Sequence, residues 1–285
     1  INTQVSQLEN MITGGCKVLV IASIDGSALS NVLATAKKKN IQTIAYDRLI
    51  MDTDAVSYYA TFDNYKVGTL QGDYLVDQLG LKSRSADDPV YMEFFTGDPG
   101  DNNINFFFGG AMDVLKPYLD KGVIVCPSGQ TAKAQAATLN WSTEEAQKRM
   151  ENILSSYYAG GTQLDVVMCS NDSTALGVTN ALEANYTGEW PIITGQDCDI
   201  ASVKNILAGK QSMSIFKDTR TLANQVVKMV TQILNGETVD VNDTKTYNNG
   251  VYVVPSFLCE PVYADINNYK ELLIDSGYYT EDQLK

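Results

Sequence analysis

Short runs rich in Val and Ile recur along this chain, each closed by a polar or Gly-containing turn and then followed by a helical pattern. "KVLVIASIDG" leads into "SALSNVLATAKKK", and "IQTIAYDR" follows. "PVYMEFFTGD" leads into "NFFFGGAMDVLKPYL", and "GVIVCPSG" precedes "STEEAQKRMENILSSYY". Further on, "LDVVMCSND" leads into "STALGVTNALEA", "WPIITGQD" into "DIASVKNILAG" and "SMSIFKD" into "TRTLANQVVKMVTQIL". Strands that read apolar on both faces and alternate with helices require parallel sheets covered by helices on both sides, so the fold class is α/β. The number of such units exceeds one comfortable sheet and fits two doubly wound lobes. A chain of 285 residues can give each lobe its own core.

In sheets of this kind ligands bind beyond the carboxyl ends of the strands. The residues standing there are Asp25, Asp47 with Arg48, Asp98 to Asn103, Asn171 with Asp172, Gln196 with Asp197, and Lys217. Any one of them could be an ordinary turn or N-cap residue, as in "NDST" opening a helix. Six such positions together, carrying planar donors and acceptors of both kinds, point to a binding site. The chemistry suits a neutral polyhydroxylated molecule. Carboxylates and amide oxygens accept the proton of each hydroxyl, while guanidinium, ammonium and amide nitrogens donate to its lone pairs. A partner left unpaired penalises the wrong epimer. Trp141, Tyr46 and Phe106 to Phe108 could cover the apolar face of a pyranose, although at least two of the three consecutive Phe read as helix packing.

Other chemistries have little support. The net charge of −13 repels nucleic-acid phosphates and anionic membrane surfaces. With no His, Ser-His-Asp and Cys-His nucleophile systems are excluded. Cys16, Cys126, Cys169, Cys198 and Cys259 contain no C-x-x-C pair and read as buried thiols rather than as disulfides or zinc ligands. Neither phosphate-binding glycine motif is present, and the clustered oxygens of "DTDAVSYYATFDN" and "DVNDT" do not meet EF-hand spacing. No cofactor and no metal is expected.

At these residues the sequence resembles the periplasmic sugar-binding proteins of ABC transporters, of the ribose/xylose/galactose-binding type, closest to the multiple-sugar-binding receptor branch. The similarity covers essentially the whole chain: "SQLENMITGGCKVLVIASIDGSALSNVL", "IAYDRLI", "VSYYATFDN", "GDPGDNN", "GAMDVLKPYLDKG", "TGQDCD", "SIFKDTR", "VNDTKTYNNGVYVVPS" and "GYYTEDQLK" follow its pattern. The resemblance implies two lobes joined by three crossover strands, a cleft between them, and hinge closure around the sugar. It places the crossings near Thr96-Gly97, Phe216-Lys217 and Val254-Pro255. Lobe one then comprises residues 1–96 plus 218–253, and lobe two 97–217 plus 254–285. It further implies that Asp47 and Arg48 hold the sugar from the first lobe. Asn102 or Asn103, Asn171, Asp172 and Asp197 would do so from the second, with Lys217 at a crossover and Trp141 stacking on the ring. The implied ligand is a monosaccharide of glucose, galactose, xylose or arabinose type. The implied partners are ABC permease subunits, with a chemoreceptor as a further one, for a monomeric protein. It would be periplasmic, or lipid-anchored outside a single-membrane cell.

One departure stands out: the family's first lobe begins with a strand, a helix and a strand that precede "TQVSQLENMITGG". An empty central slot in a sheet leaves two rows of backbone groups unpaired, so a further stretch of roughly 30–50 residues upstream is expected from the usual size of a βαβ unit. Two other readings stay open. A regulator of the lactose-repressor type shares the fold but carries a basic helix-turn-helix. A sugar-processing enzyme would use paired carboxylates such as Asp172 and Asp197.

Overall fold

The computed structural model describes all 285 residues, Ile1–Lys285. In chain order the main elements are α1 (Asn2–Thr13), β1 (Val18–Ile21), α2 (Ser30–Lys38), β2 (Gln42–Tyr46), β3 (Tyr58–Phe62), α3 (Asn64–Gln78) and β4 (Val90–Phe95). There follow α4 (Asn103–Asp120), β5 (Ile124–Val125), α5 (Lys133–Ala136), α6 (Thr143–Ile153), β6 (Val166–Cys169), α7 (Asp172–Asn185), β7 (Ile192–Ile193) and α8 (Ile200–Leu207). The chain ends with β8 (Met213–Phe216), α9 (Thr219–Asn235), β9 (Ser256–Cys259) and β10 (Val262–Asp265). No helix is long and apolar enough to cross a membrane.

The chain divides into two compact units: Ile1–Asp63 with Gly100–Asn103 and Asp218–Glu260, and Asn64–Pro99 with Ile104–Lys217 and Pro261–Lys285. The first holds a parallel sheet in the order β1-β2-β3-β9. Leu222, Val226 and Met229 of α9, spaced to share one helical face, pack on Ile44, Ala60 and Phe62 of that sheet. Asp218 caps α9 by accepting from Arg220 N at 3.0 Å, and Gly236 ends it at φ 70°.

The second unit holds a parallel sheet in the order β5-β4-β6-β7 and an antiparallel β8-β10 pair. Alternate residues of β6 enter different cores, which explains its unbroken apolar run. Val166 and Met168 join Met92, Phe94, Phe108 and Leu115, whereas Val167 and Cys169 join Phe95, Met150, Ala175 and Val178.

These units correct the expected lobe boundaries. Residues 64–96 were expected in the first lobe, yet β4 pairs with β5 and β6. The helix before β4 lies so close to α4 that a Cβ on Gly68 would sit 2.1 Å from Phe107 O and one on Gly110 would sit 2.3 Å from Tyr65 O. Ladder hydrogen bonds and backbone-to-backbone helix contact therefore place this stretch in the second unit. At the other end β9, expected in the second lobe, pairs with β3 through Tyr59↔Ser256 to Phe62↔Cys259.

Candidate ligand-binding site

In the first unit β2 delivers Asp47 in the left-handed region, at φ 63°. Its backbone is tightly held: Asp47 N donates to Ala60 O at 2.9 Å, and Asp47 O receives Thr61 Oγ1 at 3.1 Å and Asn103 Nδ2 at 3.0 Å. The Tyr59 hydroxyl shares its one proton between Asp47 O (2.7 Å) and Asn103 Oδ1 (3.1 Å). Complete burial pushes the Tyr59 phenol well above its ordinary value, so that proton stays in place. Arg48 Nε lies 3.2 Å from Asp101 Oδ2, and Arg48 Nη1 donates to Ile24 O at 3.3 Å. Asp101 Oδ1 also accepts from Asn103 N at 3.0 Å. The guanidinium is thus oriented by a carboxylate 4% exposed.

One expectation changes here. Gly100–Asn103 clusters with the first unit, not the second. Asn103 is 2% exposed, and its amide accepts from the Tyr59 hydroxyl and donates to Asp47 O, which ties it to the Asp47 turn. Its neighbour Asn102 is only partly buried.

In the second unit Trp141, Phe107, Lys217 and Asp197 form one contiguous group. Lys217 Nζ lies 2.8 Å from Asp197 Oδ1 and 5.8 Å from the Phe107 ring centre, and the Phe107 ring meets Trp141 edge-to-face at 6.2 Å. Asp197 (φ 100°) and Cys198 (φ 53°) form a strained turn. Asn140 (φ 55°) and Trp141 (φ 54°) form another, fastened by Asn140 N donating to Asp98 Oδ2 at 2.5 Å. The indole lies directly against Gly97, where a Cβ would fall 2.1 Å from three ring atoms. Gly97→Ala is therefore expected to displace Trp141. In a Trp190→Phe background, which leaves Trp141 as the sole reporter, the emission spectrum should shift on adding the alanine; an unchanged spectrum would contradict the contact.

Asn171 is the N-cap of α7, its Oδ1 accepting from Thr174 N at 3.0 Å, and it is 8% exposed. Asp172 turns inward. At 1% exposure its Oδ1 accepts from Gln211 Nε2 (3.0 Å) and Ser214 Oγ (2.8 Å), and its Oδ2 from Asp199 N (2.8 Å). Burial, followed by the nearby Asp197 charge, pushes its carboxyl well above the usual range. Asp172 is thus a support for the 197–199 turn rather than an outward-facing contact. Asp25 closes a local turn on Ser27, and Phe107 and Phe108 of the Phe run belong to the core. No group of three or more Cys, Asp and Glu could hold a metal ion.

Sequence reasoning missed Tyr59, Gln211 and Ser214, whose roles rest on long-range contacts. Asp101 lay within the quoted "GDPGDNN", but nothing local marks it as the partner of Arg48.

A two-unit fold of parallel sheets, with charged, amide and aromatic groups gathered at strand ends, defines a periplasmic binding protein of type I, and this chain belongs to that family: the periplasmic binding protein domain matches residues 1–238. Its relatives include the multiple sugar-binding periplasmic receptor ChvE of Rhizobium radiobacter, 50% identical over 100% of this chain and 81% of that protein. The D-xylose-binding periplasmic protein of Escherichia coli (strain K12) is 40% identical over 99% of this chain and 79% of its own length. Among solved structures, an ABC transporter solute binding protein from Clostridium phytofermentans with bound β-D-glucose is similar at 69% identity and TM-score 0.97, covering 100% of this chain and 87% of that one.

Proposed function

We propose that this protein is an extracytoplasmic receptor for aldose monosaccharides that supplies an ABC importer. The observation that carries the reading is the Asp197–Lys217–Phe107–Trp141 group. A carboxylate and an ammonium 2.8 Å apart can accept from and donate to neighbouring hydroxyls, beside the Trp141 ring, which packs on the buried Phe107 and is suited to the C–H face of a sugar. Asp47, Arg48, Asn102 or Asn103, and Asn171 add further contacts in this reading, and Asp172 holds the 197–199 turn. The relative with bound β-D-glucose makes glucose the first ligand to test, with xylose, galactose and arabinose types next.

Permease subunits and a chemoreceptor are the expected partners of a monomer. Its place is the periplasm, or a lipid-anchored position outside a single-membrane cell. Two features speak against the alternatives. A net charge of −13 opposes a DNA-binding regulator. Both oxygens of Asp172 accept internal hydrogen bonds, which removes one member of the carboxylate pair that sugar hydrolysis would require.

Thermal unfolding tests the reading. A ligand at 100 times its dissociation constant adds about 2.7 kcal/mol, so D-glucose is expected to raise Tm by roughly 5–10 °C for a chain of this size. The absence of a shift with D-glucose, D-galactose, D-xylose, L-arabinose and D-ribose alike would reject it. Labelled aldose should be recovered unchanged after long incubation.

A further inference from the structure

Gln71 occupies a position that the periodicity of α3 reserves for an apolar side chain. It shares the buried face of that helix with Val67, Gly68 and Leu75 and is 0% exposed. Its Nε2 lies 2.8 Å from Gly195 O, 3.2 Å from Cys169 O and 3.4 Å from Ser170 O. One amide thus bridges the carboxyl ends of β6 and β7, immediately before Asn171 and two residues before Asp197.

None of these carbonyls depends on Gln71 for a partner. Gly195 O also accepts from Ile215 N at 3.0 Å, Cys169 O from Thr194 Oγ1 at 2.9 Å and Ser170 O from Gln196 Nε2 at 2.9 Å. The amide's own Oε1 is buried without a hydrogen-bond donor, which is unfavourable. For stability alone, an apolar side chain of similar volume would serve as well. What the amide adds is a fixed separation between two loops. One carries the N-cap Asn171. The other passes through Gly195, where a Cβ would fall 2.1 Å from Asp172 Oδ1, into the strained Asp197-Cys198 turn.

We propose that Gln71 is a positioning residue for monosaccharide binding, a tether from α3 that sets the spacing of the Asn171 and Asp197 loops without touching the sugar. The binding part of this inference rests on the receptor reading above; the tether itself does not.

The test compares wild type with Gln71→Met, which keeps the volume and removes the donor, and with Gln71→Asn, which keeps the amide but falls one methylene short. Both are expected to melt close to wild type. In sugar-free protein, hydrogen exchange at the Asp197, Cys198 and Thr174 amides should quicken at least tenfold while β4 and the central residues of α4 stay unchanged. The D-glucose Kd, by titration calorimetry, should rise 10- to 50-fold. Unchanged exchange at those amides overturns the tether, and faster exchange with a Kd within twofold of wild type overturns its role in binding. If one variant fails to fold, the other decides. If wild type itself binds no sugar, the receptor reading falls, and the exchange measurement still decides the tether.

Discussion

Asp197→Ala is expected to weaken D-glucose binding by about 10–10²-fold. In the proposed reading this carboxylate accepts from a sugar hydroxyl, and a hydrogen bond to a charged group contributes about 1.5–3 kcal/mol. The substitution also removes an ion-pair partner of Lys217. Its side chain is 12% exposed, and its ammonium meets Asp197 Oδ1 at 2.8 Å. Asp197→Asn tolerates the same positive φ and keeps an acceptor, so it should recover part of the loss. Titration calorimetry on both variants gives the answer. A change below threefold for the alanine variant would remove Asp197 from the ligand contacts.

The second large effect concerns stability. Asp172→Leu leaves Gln211 Nε2, Ser214 Oγ and Asp199 N without the oxygens they now reach at 2.8–3.0 Å. Gln211 Nε2 keeps Met213 O at 3.1 Å and the Asp199 N bond is only part-buried, so at about 1–3 kcal/mol for a buried group left unpaired a net loss of about 2–4 kcal/mol follows. That corresponds to a fall in Tm of roughly 10 °C.

The dependence on pH has a definite sign. Burial, then the charge of Asp197, raises the Asp172 carboxyl above its ordinary value of 3.8 in the folded protein. Folding therefore favours the protonated acid. Its contribution is fully present below the ordinary carboxylate value and is lost as pH rises through the elevated folded value. The Tm gap between wild type and Asp172→Leu should be widest in mild acid and narrow toward neutral pH. A gap that widened instead would mean that Asp172 is held as the anion.

Both predictions turn on residues that the sequence marked as a pair at strand ends but could not orient. Asn171 was legible as a cap because a capping side chain and its N3 amide are three residues apart. Whether Asp172, one position on, faces outward or inward depends on Gln211 and Ser214, some forty residues away along the chain. The same limit applies to "GDPGDNN". Its oxygens were visible, but the ion pair between Arg48 and Asp101, and the engagement of Asn103 by Tyr59, need the folded turn.

The sequence by itself determined the α/β class, the double-sided burial of strands such as β6, the helix start at Asn171, and the strand ends where charged and amide groups collect. These features depend on hydrophobic period and turn chemistry, which act between residues a few positions apart. Only the tertiary structure decided that residues 64–96 belong to the second unit, that Asn103 is tied to the Asp47 turn, that Asp172 faces inward, and that Gln71 spans two loop bases. Each of those outcomes is set by ladder pairing, close helix contact or a single amide reaching across a core. Local pattern carries no record of which distant atoms will be within 3 Å.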